Sequence, residues 1–483
     1  MDSIYSQIVP EDVLLEIRIS EYLMRKARYV ATEEIRKEFN LSGFYTRKII
    51  RTLEQDIKEY NNSGFAIDVS LRGVKLEVPI GRDLKSFFIY ILEPAPRLKI
   101  IEYVLHNKFK TIAHYALENH ISEATARRHL REVRSILKPI SIGIASKTFE
   151  FTGEEGQIRM FLLVFYWKIN RGLYWPFTTV SEKKVEMIVN NFKKHSFFKK
   201  LSLLEKKRVM FLFAICQLRI NSGNRMNYEH IPETSQNYAN LKRVIKAANI
   251  MSEIKEEEVY FAYLVFKGLG LFANMEEEIA FEVAHSQPAG LATNYAINKM
   301  RILPLDDKAA VALFSSHSFA NILNHFLCDL DGEDYSLAFT NYFPNLKAHL
   351  ERFFDLAYKE TQLALFKEKS FLTIQYTMLL ADLPQRLALE RKITIYLETT
   401  LPQSAENLIA KQIKIYFQTK YHLIFVSPAD VFKKMEIDIV LTTIPLSDYQ
   451  QIYSNAEIIA INKELHASDY EKIEKVLQSF LKR

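Results

Sequence analysis

The clearest periodicity in this chain is helical, and it occurs twice near the N-terminus. Ala126, Leu130, Val133 and Leu137 recur at three- and four-residue spacing. That spacing lines one face of an α-helix with apolar side chains. Arg127, Arg128, Arg131 and Arg134 fall off the stripe. Eighty residues earlier, Ile50, Leu53 and Ile57 form a matching stripe, with Arg47, Lys48 and Arg51 outside it. Residues 41–53 and 121–133 align without a gap, and an apolar residue is followed by Ser42 in one copy and Ser122 in the other. The basic pairs are Arg47 and Arg127, Lys48 and Arg128, and Arg51 and Arg131. Such self-similarity reads as one supersecondary unit used twice.

Each copy reads as a helix-turn-helix. Ser42 and Ser122 are good N-caps, because the hydroxyl can accept from an amide left free in the first helical turn. A short helix is expected before each serine, at about 31–40 and 111–120. After each second helix comes a hairpin pattern. Residues 65–70 alternate, Leu71-Arg72-Gly73 turns, and residues 74–78 alternate again. The second copy has strands expected at 140–144 and 148–151 around Ala145-Ser146-Lys147. A helix-turn-helix followed by such a hairpin is a winged helix, and Arg72 and Lys147 sit at the tips where a wing meets phosphate.

The candidate DNA-binding residues are therefore Ser42, Tyr45, Arg47, Lys48, Arg51 and Arg72 in the first unit. In the second they are Ser122, Thr125, Arg127, Arg128, Arg131 and Lys147. An arginine fork early in a recognition helix suits guanine N7 and O6 in the major groove, while other basic residues contact phosphate only. A single Arg-rich helix is ordinarily a solvated face. The repetition of triad, cap and wing is what favours reading heads.

From about residue 156 to 389 the pattern is helix after helix, with long amphipathic stretches at 206–218 and 350–365. Breakers occur near 221–224, 287–290 and 329–334, which accommodates two helical bundles split close to 289–292. The last stretch changes character. Strand patterns at 392–398, 423–426, 437–443 and 457–461 alternate with helical ones at 404–420 and 468–481, as in a parallel sheet. The expected fold is mainly α and multidomain. It comprises winged helices at 1–80 and 81–155, helical bundles at 156–288 and 289–391, and a small α/β domain with a parallel sheet at 392–483.

Composition narrows the function. A chain of 483 residues exceeds one ordinary core, and 48% hydrophobic with 25% charged residues suits a globular protein. No run approaches the roughly 18 apolar residues of a membrane span. No signal-peptide pattern opens the chain, so a cytoplasmic location is expected. The net charge is +6, and residues 1–150 carry 24 Lys+Arg against 20 Asp+Glu, so most of the excess lies in the first third. That hints at a polyanionic partner. Cys216 and Cys328 lie among apolar neighbours and are expected to be buried, reduced thiols. The sequence holds no CxxC, HExxH, Gly-rich phosphate loop after the first tail strand, or Ser/His/Asp grouping, so no metal, cofactor or enzymatic activity is expected.

The order of parts resembles the Mga family of transcription regulators of Gram-positive bacteria, over essentially the whole chain. That resemblance implies bundles similar to phosphotransferase-system regulatory domains, whose surface histidines can be phosphorylated. It implies a tail similar to the enzyme IIB component of sugar transporters. The implied partners are double-stranded DNA, further copies of the chain in a homodimer or higher oligomer, and the phosphocarrier protein of the phosphotransferase system, with no membrane. The implied role is regulation, typically activation, of virulence or carbohydrate-utilisation genes, modulated by histidine phosphorylation.

Two departures bear on this. An active enzyme IIB has a nucleophilic Cys just after its first strand, where this chain has Leu397-Glu398-Thr399-Thr400. The first bundle lacks the usual early histidine, since residues 209–219 contain none. The segment from Glu278 to His285 resembles the pattern before a phosphorylatable histidine, which makes His285 the first candidate. His349 is second, with Arg352 one turn away. His195, His317 and His325 are less informative, while His114, His120 and His129 are assigned to packing or to the vicinity of phosphate. The alternatives are an RNA-binding antiterminator with the same bundles and a phosphotransferase-system component. A-form RNA hides its major groove from a helix, which disfavours the first. The missing Cys and missing Gly-rich loop disfavour the second.

Overall fold

The computed structural model describes residues 4–60, 64–79, 82, 84–192, 194–247, 254–300, 307–326, 328–330, 332, 344–380, 390–418, 420–426 and 436–481. The chain divides into two compact units. One comprises Met1–Glu278 with Asn321–Asp334, and the other Ile279–Ala320 with Tyr335–Arg483.

The first unit opens with α1 (Ile4–Ile8), α2 (Glu11–Lys26), α3 (Thr32–Glu38) and α4 (Gly43–Tyr60), then the hairpin β1 (Ala66–Ser70) and β2 (Gly73–Glu77). α2 begins with Glu11 and Asp12 and ends with Arg25 and Lys26, which suits its dipole at both ends. Ile19, Leu23, Ile35 and Leu53 are completely buried where these helices meet. Each such side chain contributes about 1.5–3 kcal/mol relative to exposure. Helix α5 (Lys85–Leu92) adds Phe87 and Ile91 to the same core. Val30 exchanges two backbone hydrogen bonds of 2.9 Å with Val74, so the linker between α2 and α3 makes an isolated antiparallel bridge to the wing. Gly73 makes this possible. Its φ is +118°, and a Cβ there would lie 2.3 Å from the Val30 carbonyl oxygen.

The second winged unit follows as α6 (Pro96–Leu105), α7 (Ile112–Glu118), α8 (Glu123–Leu137), β3 (Gly143–Ile144) and β4 (Phe151–Thr152). The 80-residue repeat extends to the backbone. α3 and α7 begin and end at equivalent positions. Left-handed residues recur in register, Ala27 with Asn107 and Asn40 with His120. The turn closes alike in both copies, with Leu41 N donating to Arg36 O at 2.9 Å and Ile121 N to Ala116 O at 3.0 Å. Helix α9 (Glu155–Asn170) then enters a helical bundle. Every residue from Gly156 to Trp167 is buried, so α9 is an interior helix. Arg159 within it is neutralised by Glu155 at 2.8 Å and by Glu258.

In the other unit, helices Pro288–Lys299, Asp307–Ala320, Pro344–Thr361 and Lys369–Leu380 precede the tail. The tail strands are β5 (Lys392–Glu398), β6 (His422–Val426), β7 (Ile439–Thr442) and β8 (Glu457–Ala460), ordered β6-β5-β7-β8 and all parallel. Ile393, Ile395, Ile439 and Leu441 face Ile413, Phe417, Ile473 and Leu477 of the covering helices. Tyr396, Val440 and Tyr449 pack on the opposite face. Covering both faces is what a parallel sheet requires. The mainly α, multidomain class with a C-terminal parallel sheet is therefore the observed one.

Several local expectations need correction. The second wing is far shorter than its sequence pattern suggests. Residues 138–140 form a 3-10 turn around Pro139, and only two residue pairs close the ladder. The helix expected to reach residue 365 stops at Thr361, because Gln362 turns left-handed at φ 58°. The break placed at 287–290 is confined to its beginning, since Pro288, Ala289 and Gly290 form a helical first turn that tolerates proline at N1. Part of the break near 329–334 lies outside the described residues. Cys328 is buried as expected, but Cys216 is only partly buried, beside a small apolar pocket.

Candidate nucleic-acid interface

The two recognition helices are capped as their serines require. Ser42 Oγ accepts from Tyr45 N at 3.2 Å, and Ser122 Oγ accepts from Thr125 N at 3.1 Å. Ser122 Oγ also lies 2.9 Å from Thr125 Oγ1. Thr46 and Ala126 occupy equivalent buried positions just inside. The apolar stripes point inward as read, with Ile50, Leu53 and Ile57 buried on α4 and Ala126, Leu130, Val133 and Leu137 buried on α8.

All six residues of the basic triads are exposed, yet they are not equivalent. Among the described residues, Arg47, Arg51 and Arg131 make no ion pair. Lys48 pairs with Asp12 at 2.9 Å, Arg127 with Glu123 at 2.9 Å, and Arg128 approaches Glu132 at 3.9 Å. Exposed pairs of this kind are worth about 0–1 kcal/mol, so a phosphate can displace them.

Asp12 fixes one member of the first triad, Lys48, together with Tyr45. It accepts from the Tyr45 hydroxyl and from Lys48 Nζ. Those two donors, Tyr45 first, hold its carboxyl below the ordinary range. The same bond, followed by burial, pushes the Tyr45 hydroxyl up to about 12. Tyr45 and Lys48 are thus fixed by a residue 33 and 36 positions away, on another helix.

The wings are positioned differently. Arg72 is exposed and stacks its guanidinium 5.2 Å from the Tyr29 ring centroid, while the Tyr29 hydroxyl donates to Asp68 at 2.5 Å. Neighbouring Leu71 is fully exposed at the tip. Lys147 is exposed in the loop of the second wing. That wing is anchored by Arg134, whose Nε and Nη2 donate to the carbonyls of Ile144 and Ala145, each at 3.0 Å. The apolar stripe correctly left Arg134 off the core, but only the fold turns it toward the wing. Phe44, 76% exposed at the start of α4, is a further side chain that charge patterning passed over. An apolar group there suits a thymine methyl.

Neither phosphorylation candidate lies in this region. His285 is exposed, with its ring stacked on Phe281 at a centroid distance of 4.0 Å. Its Nδ1 lies 2.8 Å from the Phe281 carbonyl oxygen, which can only accept, so a neutral ring carries its lone pair on Nε2. His349 is half-buried. Burial, and then the Arg352 charge, depress its basicity. The loop after β5, where an enzyme IIB carries its thiol, is occupied internally. Glu406 accepts from the Thr399 amide at 2.7 Å and from its hydroxyl at 2.8 Å. A carboxylate therefore already sits where an anion would need these donors.

Among the described residues, no helix is long and apolar enough to cross a membrane, and no cluster of three acidic, Cys or His side chains could hold a metal ion.

One comparison with known proteins falls in the same region. The model of the Mga helix-turn-helix domain matches residues 81–166, which span the second winged unit and enter α9. A relative described as the anthrax toxin expression trans-acting positive regulator of Bacillus anthracis is 22% identical over 240 residues. That match spans 50% of this chain and 49% of the relative, so the chain aligns with about half the relative's length. Residues 81–166 are thus similar to the Mga helix-turn-helix domain, and about half of the chain is similar to a protein described as a positive regulator.

Proposed function

We propose that the chain is a DNA-binding transcription regulator that engages duplex DNA through α4, α8 and the two wings. The observation that carries this reading is the repeated surface: two capped helices whose basic triads stand at identical positions and are exposed in both copies. Ser42, Tyr45, Arg47, Lys48, Arg51 and Arg72 form one reading head, and Ser122, Thr125, Arg127, Arg128, Arg131 and Lys147 the other. Arg47, Arg51 and Arg131, free of ion pairs among the described residues, are assigned to bases or phosphates directly. Lys48, Arg127 and Arg128 exchange a carboxylate for a phosphate.

The finer reading is positive control of virulence or carbohydrate-utilisation genes in the cytoplasm. The relative's own description, positive regulation of anthrax toxin expression, supports the sign of that control. The parts are divided as winged helices at 1–80 and 81–155, regulatory bundles at 156–288 and 289–391, and an enzyme IIB-like domain at 392–483. A homodimer or larger assembly would multiply the reading heads through effective concentration. The phosphocarrier protein of the phosphotransferase system is the proposed modifier, with His285 ahead of His349 because its ring is exposed and its lone pair lies on Nε2.

Fluorescence anisotropy of the full chain on duplex DNA, against a hairpin RNA competitor and across salt concentrations, tests the reading. Alanine at Arg47, Lys48 and Arg51 together, or at Arg127, Arg128 and Arg131 together, should flatten the salt dependence by up to about 3 units of slope. A folded triple variant that binds duplex DNA like the wild type removes that unit from the interface. Phosphate transfer from a complete carrier relay, lost in His285→Ala, tests the modification.

A further inference from the structure

Behind the first recognition helix lies an open cleft of about 500 Å³ that the DNA-binding reading does not use. α4 lends it Ile49, Thr52, Asp56 and Glu59, a single stripe at helical spacing. None of the basic triad belongs to that stripe. α2 contributes Asp12 and Glu16, and Glu93 also lines the cleft. Among the described residues, Lys99 is the only cation in the lining. Five carboxyl groups therefore face one ammonium group.

Acidity alone would only repel. The second observation is Glu16. Its side chain is 3% exposed, it lines the cleft, and its Oε1 has no hydrogen-bond partner. Buried polar atoms are almost always paired, so an orphaned carboxyl oxygen on a residue that lines a cavity marks a missing donor. Val13, Ile91 and Pro94 supply apolar wall beside it. The volume lies within the range of small-molecule sites.

We propose that this cleft binds a small organic cation, a primary or oligo-amine, with one ammonium group seated between Glu16 and Asp56 and its carbon stem along the apolar wall. An ammonium group offers several donors and no acceptor, which matches an orphaned carboxyl oxygen beside a second carboxyl. A bare metal ion fits less well, because no three-ligand cluster exists among the described residues.

The chemistry of the pair predicts how binding behaves. Burial first, and then the field and hydrogen bond of Asp56, raise the Glu16 carboxyl to about 8. Burial, with the charge of Glu59, raises Asp56. Without an occupant the two therefore retain a proton near neutrality. A cation replaces that proton, so binding releases it to solvent and tightens as pH rises. Asp12, Glu59, Tyr90, Glu93 and Lys99 also face the site. Asp12 already holds Lys48 and Tyr45, and an amine in the cleft would compete with Lys48 for that carboxylate. Release of Lys48 toward DNA is the one consequence that rests on the DNA-binding reading.

Isothermal titration of the full chain with spermidine, without DNA, tests the site. Measurements at pH 6 and pH 8, each in two buffers of different ionisation heat, report proton release directly. Saturable one-to-one binding is expected, tighter at pH 8, with protons passed to the buffer. Glu16→Gln and Asp56→Asn should each weaken it at least about tenfold. Glu59→Gln lies at the exposed rim and should weaken it severalfold without touching the core, so it remains decisive if a buried variant misfolds. Three outcomes overturn the proposal: no saturable binding at millimolar spermidine, binding that none of the three variants changes, or magnesium ions binding with the same stoichiometry and variant dependence. No outcome depends on DNA, so failure here and failure of the DNA-binding reading are separately visible.

Discussion

His317 provides the sharpest quantitative prediction. It is completely buried, between helices Pro288–Lys299 and Lys369–Leu380, and its ring is fully partnered as the neutral species. Thr293 Oγ1 donates its only hydrogen to the Ala289 carbonyl at 2.7 Å, so it must accept from His317 Nδ1 at 2.9 Å. That leaves Nε2 to accept from the Tyr376 hydroxyl at 2.8 Å. Protonation would turn an acceptor into a buried donor facing a hydroxyl. Burial accordingly depresses the ring to about 3, from an ordinary 6.5.

A basic group depressed in the folded state contributes stability that is complete above the unfolded value and lost as pH falls toward the folded one. Between pH 7.5 and 5 the wild-type chain should therefore lose about 2 kcal/mol of local stability at this site. His317→Gln cannot titrate. It should be somewhat less stable at pH 7.5, through lost packing and hydrogen bonds, but its stability should depend on pH less than the wild type's by that same amount. A chain of several domains does not unfold in one step, so global melting is the wrong assay. Hydrogen exchange read on peptides from Asp307–Ala320 and Lys369–Leu380 reports the local opening free energy. After correction for intrinsic rates, about 2 kcal/mol corresponds to roughly a thirtyfold change in protection. Equal pH dependence in wild type and variant would refute the argument, and phosphate labelling at His317 would refute the burial on which it rests.

The remaining predictions concern the winged units. Glu16 has the opposite sign: an acid raised in the folded state is most stabilising below about 4.5, and that contribution fades as pH rises through about 8. Hydrogen exchange across α2 and α4 should thus accelerate from pH 6 to pH 9 in the wild type, beyond the intrinsic rate, and respond less in Glu16→Gln. Arg51→Ala and Arg131→Ala should each lower the salt slope of duplex binding by about one, and an unchanged slope would mean that the residue meets no phosphate. Gly73→Ala forces a Cβ into the Val30 carbonyl at a left-handed φ, so the first wing should detach at a cost of about 1–3 kcal/mol or more, visible as lost protection of the Val30 and Val74 amides.

Much of the architecture was legible locally. The 80-residue repeat, the serine caps and the basic triads depend on residues within one or two helical turns, and periodicity reads such relations directly. The first tail strand could be placed at 392–398 because a parallel strand buried on both faces leaves a compact apolar run. Patterning failed where a local signal was overruled by geometry. Apolar alternation at 140–144 suggested a strand, but Pro139 and the left-handed Ser141 start the second wing late.

What only the tertiary structure decided is which distant groups meet. Asp12 holding Tyr45 and Lys48, Glu16 facing Asp56, Arg134 bracing a wing and Thr293 with Tyr376 around His317 all join residues on separate elements. No periodicity encodes such pairs, because each helix sets only the face on which a side chain lies. The partner across that face is chosen by how the helices pack. The sequence by itself therefore determined the elements, their order and the charge each surface carries. Packing decided which of those charges stand free at the surface, which are already satisfied, and which, like Glu16, are buried with a bond still to make.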